Sequence, residues 1–278
     1  MVKVILYIVL FAVIIYFCLL ALVFTFQKSL TYFPDRTHYT PREAGIPEME
    51  ELKLLTSDGQ TIIAWYRPPQ ESSKPTIVYF HGNAGNIFNR GFIARSFLRK
   101  GYGMLLLTYR GYSGNPGKPS EEGLYQDGRA ALRFIQNEGV SPGCVVLYGT
   151  SVGSAVAVQM ATEFEIAAII LQSPFTSLQD VANFHYPFFL PFSGLVSDKF
   201  DSLSKAHEIS LPILIVHGKS DRIIPPELSR RLLEKFPGPK EAEYIPKRDH
   251  NNLFEPNLVD AFITKHVKCS PQTSGIKK

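Results

Sequence analysis

The sequence predicts an α/β fold in which a mostly parallel eight-stranded sheet carries helices on both faces, preceded by one N-terminal transmembrane helix. Three observations lead there. Eight short runs rich in β-branched residues alternate with helix-patterned stretches. The later runs are almost wholly apolar, as strands covered on both faces are. Val4–Phe26 is a stretch of 23 residues without a charge.

The uncharged stretch comes first in the chain. As a helix rising about 1.5 Å per residue it would span roughly 34 Å, more than the ~30 Å of a bilayer's hydrocarbon core. A cleavable export signal has a shorter apolar region, about 7–15 residues, ending at small side chains. Ala21-Leu22-Val23 offers no such site, and Cys18 follows the bulky Ile15-Tyr16-Phe17, unlike a lipoprotein signal. Residues 1–27 are therefore read as an uncleaved, single-pass membrane anchor. Lys28, Arg36 and Arg42 against Lys3 place the rest of the chain in the cytoplasm by charge count, whereas the three-residue leading tail suits an exported domain, so the side is left open.

Residues 28–50, with Pro34, Pro41, Gly45 and Pro47, read as a connector. Strands are predicted at Glu51–Thr56, Thr61–Arg67, Thr76–Phe80, Met104–Tyr109, Cys144–Tyr148, Ala167–Leu171, Ile213–His217 and Ala242–Ile245. The first two flank Ser57-Asp58-Gly59-Gln60 and alternate polar with apolar residues, the pattern of an antiparallel edge hairpin. Helices are predicted at Asn86–Lys100, Ser120–Asn137, Ser151–Phe164, Pro226–Phe236 and Leu253–His266. The domain so defined covers 51–267, with a cap insertion at about 175–210 and a flexible polar tail at 268–278.

With 45% hydrophobic and 19% charged residues, the chain has the apolar content that a disordered chain lacks. The net charge of +4 is spread over 29 basic and 25 acidic residues without a basic block, which argues against a nucleic-acid partner. Cys18, Cys144 and Cys269 have no C-x-x-C spacing, so neither a disulfide framework nor a zinc site is expected, and Cys144 reads as a small buried hydrophobe.

The chemistry concentrates at Gly149-Thr150-Ser151-Val152-Gly153, between a predicted strand and a predicted helix. G-x-S-x-G alone also marks ordinary turns, but here it has the setting of a nucleophile elbow, in which flanking glycines let strand and helix approach. A serine hydroxyl needs a base, and the base needs an orienting acid. Asp221 follows the strand ending at His217, and His250 follows the last strand, giving the order Ser151, Asp221, His250. Asp249 is the rival acid, ranked lower because it adjoins His250 and is better placed to shape the loop. His81-Gly82-Asn83-Ala84-Gly85-Asn86 opens a helix after Thr76–Phe80, so the Asn83 and Val152 backbone N–H groups are expected to form an oxyanion hole. His81 and His217 are read as braces for these loops.

With HGNAGN, YRGYSGNPGKPSEEGLYQD, LYGTSVGSAVA, SPFTSL, HGKSDRIIP and DHNN in order over about residues 50–266, the chain resembles the membrane-anchored branch of the α/β-hydrolase-domain proteins. That branch is related to protein depalmitoylases and carries a serine aminopeptidase-like hydrolase domain. The resemblance implies the α/β-hydrolase fold and a cofactor-free, metal-free acyl ester or thioester hydrolase with Ser151, Asp221 and His250 as its triad. Val152 stands where Leu is usual, and Asn252 where the branch generally has Asp, which bears on any carboxylate supporting His250.

Phe184, Tyr186, Phe188, Phe189 and Phe192, around Pro187 and Pro191, lie in the cap insertion, where such side chains would bury an acyl chain or pack as a small cap core. The expected substrate is a small molecule or lipid carrying a medium or long acyl group, presented at a membrane. A serine peptidase of the same fold is the alternative; it needs a site for a charged terminus, which nothing unambiguous in the cap supplies. A non-catalytic scaffold predicts a broken triad.

Overall fold

The computed structural model describes residues 1–187 and 194–269. In chain order the elements are α1 (Val2–Thr31), β1 (Phe33–Pro34), β2 (Glu50–Leu55), β3 (Thr61–Arg67), β4 (Thr76–Phe80), β5 (Ala84–Gly85), α2 (Gly91–Leu98) and β6 (Gly103–Leu107). They continue with α3 (Glu121–Asn137), β7 (Val145–Thr150), α4 (Val152–Glu163), β8 (Ala168–Gln172), α5 (Leu178–His185) and α6 (Ser202–Lys205). Last come β9 (Ile213–Gly218), α7 (Pro226–Lys235), β10 (Lys240–Ile245) and α8 (Pro256–His266).

Eight strands form one sheet in the order β10-β9-β8-β7-β4-β6-β3-β2. Only β3 runs against the rest, pairing antiparallel with β2 and β6 while every other pair is parallel. The apolar runs are explained by the two-sided packing. Val78 and Phe80 of β4 join a core with Leu124 of α3, Val156 of α4 and Leu232 of α7, whereas Ile77 and Tyr79 face Phe97 of α2 and Phe262 of α8. The period-two alternation is still present, but both phases meet a hydrophobic layer.

The predicted elements shift where side chains take over backbone partners. β6 stops at Leu107 rather than Tyr109, and the Asn115 amide donates to the carbonyls of Thr108 and Tyr109 at 3.2 and 3.1 Å. The helix expected from Asn86 begins as α2 at Gly91, because Asn86 and Asn89 bond each other's backbone and Asn86 Nδ2 donates to Asp35 at 2.7 Å. The helix expected from Leu253 begins at Pro256, whose fixed φ suits a first helical position.

Residues 28–50, expected as a connector, pack onto the domain. Tyr32, Ala44, Ile46 and Met49 are buried, and β1 pairs in parallel with β5. Cys144 is buried, as the sequence suggests, but it is not a free thiol. It is paired with Cys269, their Cα atoms 5.1 Å apart, which corrects the expectation that no disulfide would form. Spacing could not show this, since 125 residues separate them. In the cap insertion, Phe184 and Tyr186 are more than half exposed, so neither forms a buried cap core. Phe188, Phe189, Pro191 and Phe192 lie outside the described residues.

One buried ion network fixes the loop after β6. Asp127 of α3 is fully buried and accepts from the Arg110 backbone N–H at 2.8 Å and from its guanidinium at 2.8 and 3.0 Å. The same guanidinium grips Asp58 in a fork, and that contact brings the Asp58 carboxyl down to about 2. Arg110→Ala leaves the Asp127 carboxyl buried without its partner, so a loss of about 3–5 kcal/mol of stability is expected. Urea unfolding measures it; a loss below 1 kcal/mol on the same scale would show the network to be dispensable.

Candidate active site

In the sheet order β4 lies between β6 and β7. The chain steps from β4 to one side and returns on the other, which opens a crevice at the strands' C-terminal ends. Phe80 and Gly149 are register partners, so the turns that follow β4 and β7 start side by side over that crevice.

Ser151 sits in the turn after β7 with φ 54° and ψ −122°, backbone geometry that side-chain-bearing residues rarely adopt. The turn is held by Ser151 N–H donating to the Gln172 carbonyl at 2.9 Å and by Ser154 N–H donating to the Ser151 carbonyl at 2.8 Å. The flanking glycines are required by contact: a Cβ on Gly149 would overlap the Gly153 carbonyl, and one on Gly153 would overlap the Phe80 and His81 carbonyls. Backbone cannot step aside as a side chain can. Gly153→Ala is therefore expected to cost about 3 kcal/mol of stability and most activity, read by thermal melting beside ester turnover. Wild-type melting with wild-type turnover would contradict the close packing.

The structure brings the three expected residues together. His250 Nε2 lies 3.1 Å from Ser151 Oγ, and His250 Nδ1 lies 2.7 Å from Asp221 Oδ2. Asp221 is buried in the loop after β9, and its Oδ1 accepts from the Ile223 and Ile224 N–H groups at 2.9 and 2.8 Å. Burial opposes its charge, but hydrogen bonds from His217 and His250 outweigh burial and hold the carboxyl well below the usual carboxylate range. His217 is fully buried, with Nε2 3.0 Å from the Ile224 carbonyl and 3.3 Å from Asp221 Oδ2, so it braces the acid loop. Asp249 is engaged within its own loop: its carboxylate accepts from the Asn251 and Asn252 N–H groups, and Asn252 Oδ1 accepts from the Asp249 N–H at 2.8 Å. Asn252 thus closes a loop turn.

The loop after β4 lies against the serine, with the Gly82 Cα hydrogen side facing the Ser151 side chain. Val152 opens α4, where a first-turn N–H has no acceptor inside the helix, and Val152, Asn83 and Ser151 line one cavity of about 600 Å³. Asn83 is clamped on both sides. Its carbonyl accepts from the Phe33 N–H at 2.9 Å and the Tyr112 hydroxyl at 2.7 Å, and its amide donates to the Thr31 carbonyl at 2.6 Å. His81 is buried beside the Tyr109 and Tyr112 rings with Nδ1 2.6 Å from the Gly82 carbonyl; burial, with a smaller push from Arg90, takes its imidazole down to about 3. A neutral His81 braces the loop.

The cavity wall holds residues that the sequence reading did not assign to the site. Val23, Phe24, Gln27, Leu30 and Thr31 of α1 line it together with Phe175, Leu178 and Ile224. Their spacing shows one helical face, but that face itself mixes Val23, Phe24 and Leu30 with Gln27 and Thr31, so no clean apolar stripe marks it.

An arrangement of serine, imidazole and buried carboxylate beside an apolar cavity is suited to acyl transfer. Comparison with known proteins agrees at the level of family and fold. The family described as serine hydrolase (FSH1) matches residues 23–250. Protein bem46 of Schizosaccharomyces pombe is 33% identical over 252 residues, covering 84% of this chain and 83% of its own. The alpha/beta hydrolase domain-containing protein WAV2 of Arabidopsis thaliana is 30% identical over 238 residues, covering 77% of each chain. Among solved structures, the Pyrococcus furiosus esterase Pf2001 superposes with a TM-score of 0.67 at 19% identity, covering 85% of this chain and 97% of that one. The match across most of the chain, on a sheet of this topology with a serine at its elbow, makes the chain a member of the FSH1 serine hydrolase family within the α/β-hydrolase superfamily.

Proposed function

We propose that the protein cleaves carboxylic esters or thioesters of medium or long acyl chains through a covalent acyl-enzyme, with Ser151, His250 and Asp221 as its triad. The observation that carries this reading is the hydrogen-bonded chain from Ser151 Oγ through His250 to Asp221, ending on an apolar cavity. Ser151 Oγ attacks the acyl carbonyl as His250 Nε2 takes its proton, and Asp221 stabilises the imidazolium. The Asn83 and Val152 N–H groups receive the oxyanion. His250 then protonates the departing alcohol or thiol, leaving an acyl ester on Ser151. Water attacks that ester, giving its proton to His250, and the carboxylic acid leaves as the serine is regenerated.

The same reading takes residues 1–27 as an uncleaved membrane anchor, 51–267 as the catalytic domain and about 175–210 as its cap. Its support is that α1 is long and apolar enough to cross a bilayer and runs unbroken into the cavity wall, which a signal cleavage would remove. Full-length protein assayed on p-nitrophenyl esters of increasing chain length tests the substrate class. Turnover rising from acetate toward octanoate or beyond is expected; activity on acetate alone would contradict the acyl-chain reading.

A further inference from the structure

Most of α1 is exposed, and its side chains from Val4 to Phe11 are apolar. From the buried Leu20 onward the helix changes character. Val23, Phe24, Gln27 and Thr31, spaced as one helical face, become half-buried and line the cavity that holds Ser151. The C-terminal end of this face is bolted down on two sides. The Gln27 carbonyl oxygen Oε1 accepts from the Ser197 N–H at 2.9 Å, and the buried Tyr32 hydroxyl donates to Asp198 at 2.7 Å, fixing the helix to the segment before α6. On the other side the Thr31 carbonyl takes the Asn83 amide, fixing it to the loop proposed as oxyanion hole.

Depth matters here. An apolar stretch of roughly 34 Å fills a hydrocarbon core of about 30 Å, which leaves Val23–Leu30 at the level where acyl chains meet headgroups, with Lys28 at the polar boundary. The rim of the cavity suits that level. Phe33, Tyr186 and Ile223 all line it while remaining at least half exposed. Aromatic and aliphatic groups lying open around a pocket mouth are costly in water and at home at a membrane interface.

We infer that the last turns of α1 are a wall of the acyl-binding site, so that the substrate's hydrocarbon chain lies against the enzyme's own membrane helix and enters sideways from the bilayer. The helix is then a specificity element as well as a tether. This rests on the proposal that Ser151 is the nucleophile.

The test uses full-length protein in phosphatidylcholine vesicles and long-chain alkyl fluorophosphonates carrying a diazirine at successive positions along the chain. Ser151 Oγ displaces fluoride from phosphorus, and irradiation then marks whatever the chain touches. Photo-crosslinks within Val23–Thr31, mapped by peptide mass spectrometry, are the expected result. Crosslinks confined to α5 or to other segments, with Ser151 labelled, overturn the α1 wall and leave the hydrolase reading intact. No labelling of Ser151 overturns both. At constant bulk probe, tenfold dilution with inert lipid should slow labelling about tenfold if the chain arrives through the bilayer. A rate that ignores lipid dilution means entry from water and overturns the sideways route.

Discussion

Ser151→Ala is expected to lower kcat for ester hydrolysis by about 10⁶, the scale of losing a triad nucleophile, and to abolish covalent labelling by a fluorophosphonate. The fold should survive. The side chain is a single hydroxyl bonded to His250, Ala keeps the same Cβ in the same unusual backbone conformation, and the turn is held by backbone bonds to Gln172 and Ser154. The loss should therefore appear in kcat, with the melting temperature close to wild type. Turnover within tenfold of wild type would remove Ser151 from the reaction and leave the hydrogen-bonded chain to His250 without a chemical role. Ser151→Cys serves as a second measure. It keeps a nucleophile in the same turn and should retain thiol-reactive labelling even where ester turnover is small.

What the sequence made legible was local. The elbow could be read because sterics impose glycine at 149 and 153 within a few residues of the serine, and Asp221 and His250 could be placed in loops because each follows a strand candidate, Ile213–His217 marked by its apolar run and Ala242–Ile245 by a shorter, mixed one. The hairpin, the sheet's parallel character and the alternation of helices followed from the same short-range periods. Long-range features were illegible. Tyr32 meets Asp198 across 166 residues and Cys144 meets Cys269 across 125, and no spacing rule joins such partners. The hydropathy of α1 announced a span but concealed its working face, since the residues that turn inward mix Val23 and Phe24 with Gln27 and Thr31 and make no apolar stripe that a periodicity would show. The α2 start at Gly91 was missed for another reason: Asn86 and Asn89 satisfy the loop's backbone with their own side chains, an alternative to helix that polar residues offer wherever tertiary partners such as Asp35 stand nearby.

Asp221→Asn is the more discriminating substitution because the loop dictates how the new amide must sit. Oδ1 of Asp221 accepts from two backbone N–H groups, so the Asn carbonyl oxygen is held in that position. The NH₂ is then turned to the Oδ2 position, facing His250 Nδ1. To accept from it, Nδ1 must give up its proton and the imidazole must carry the proton on Nε2, the atom that faces Ser151 Oγ. A base that presents a proton to the nucleophile cannot remove one. The expected result is a fall of about 10⁴ in kcat with KM little changed, since the cavity is untouched. His217 keeps its bond to the Ile224 carbonyl, which supports the loop in the variant. A loss of less than tenfold would assign the orienting role elsewhere, and Asp249→Asn, expected to leave kcat near wild type, shows whether that role has moved to the neighbouring carboxylate. Combining Ser151→Ala with Asp221→Asn should cost no more than Ser151→Ala alone, because an oriented base has nothing to act on once its nucleophile is gone. Additive losses would mean that the two residues serve separate steps and that the chain from serine to carboxylate does not work as one device.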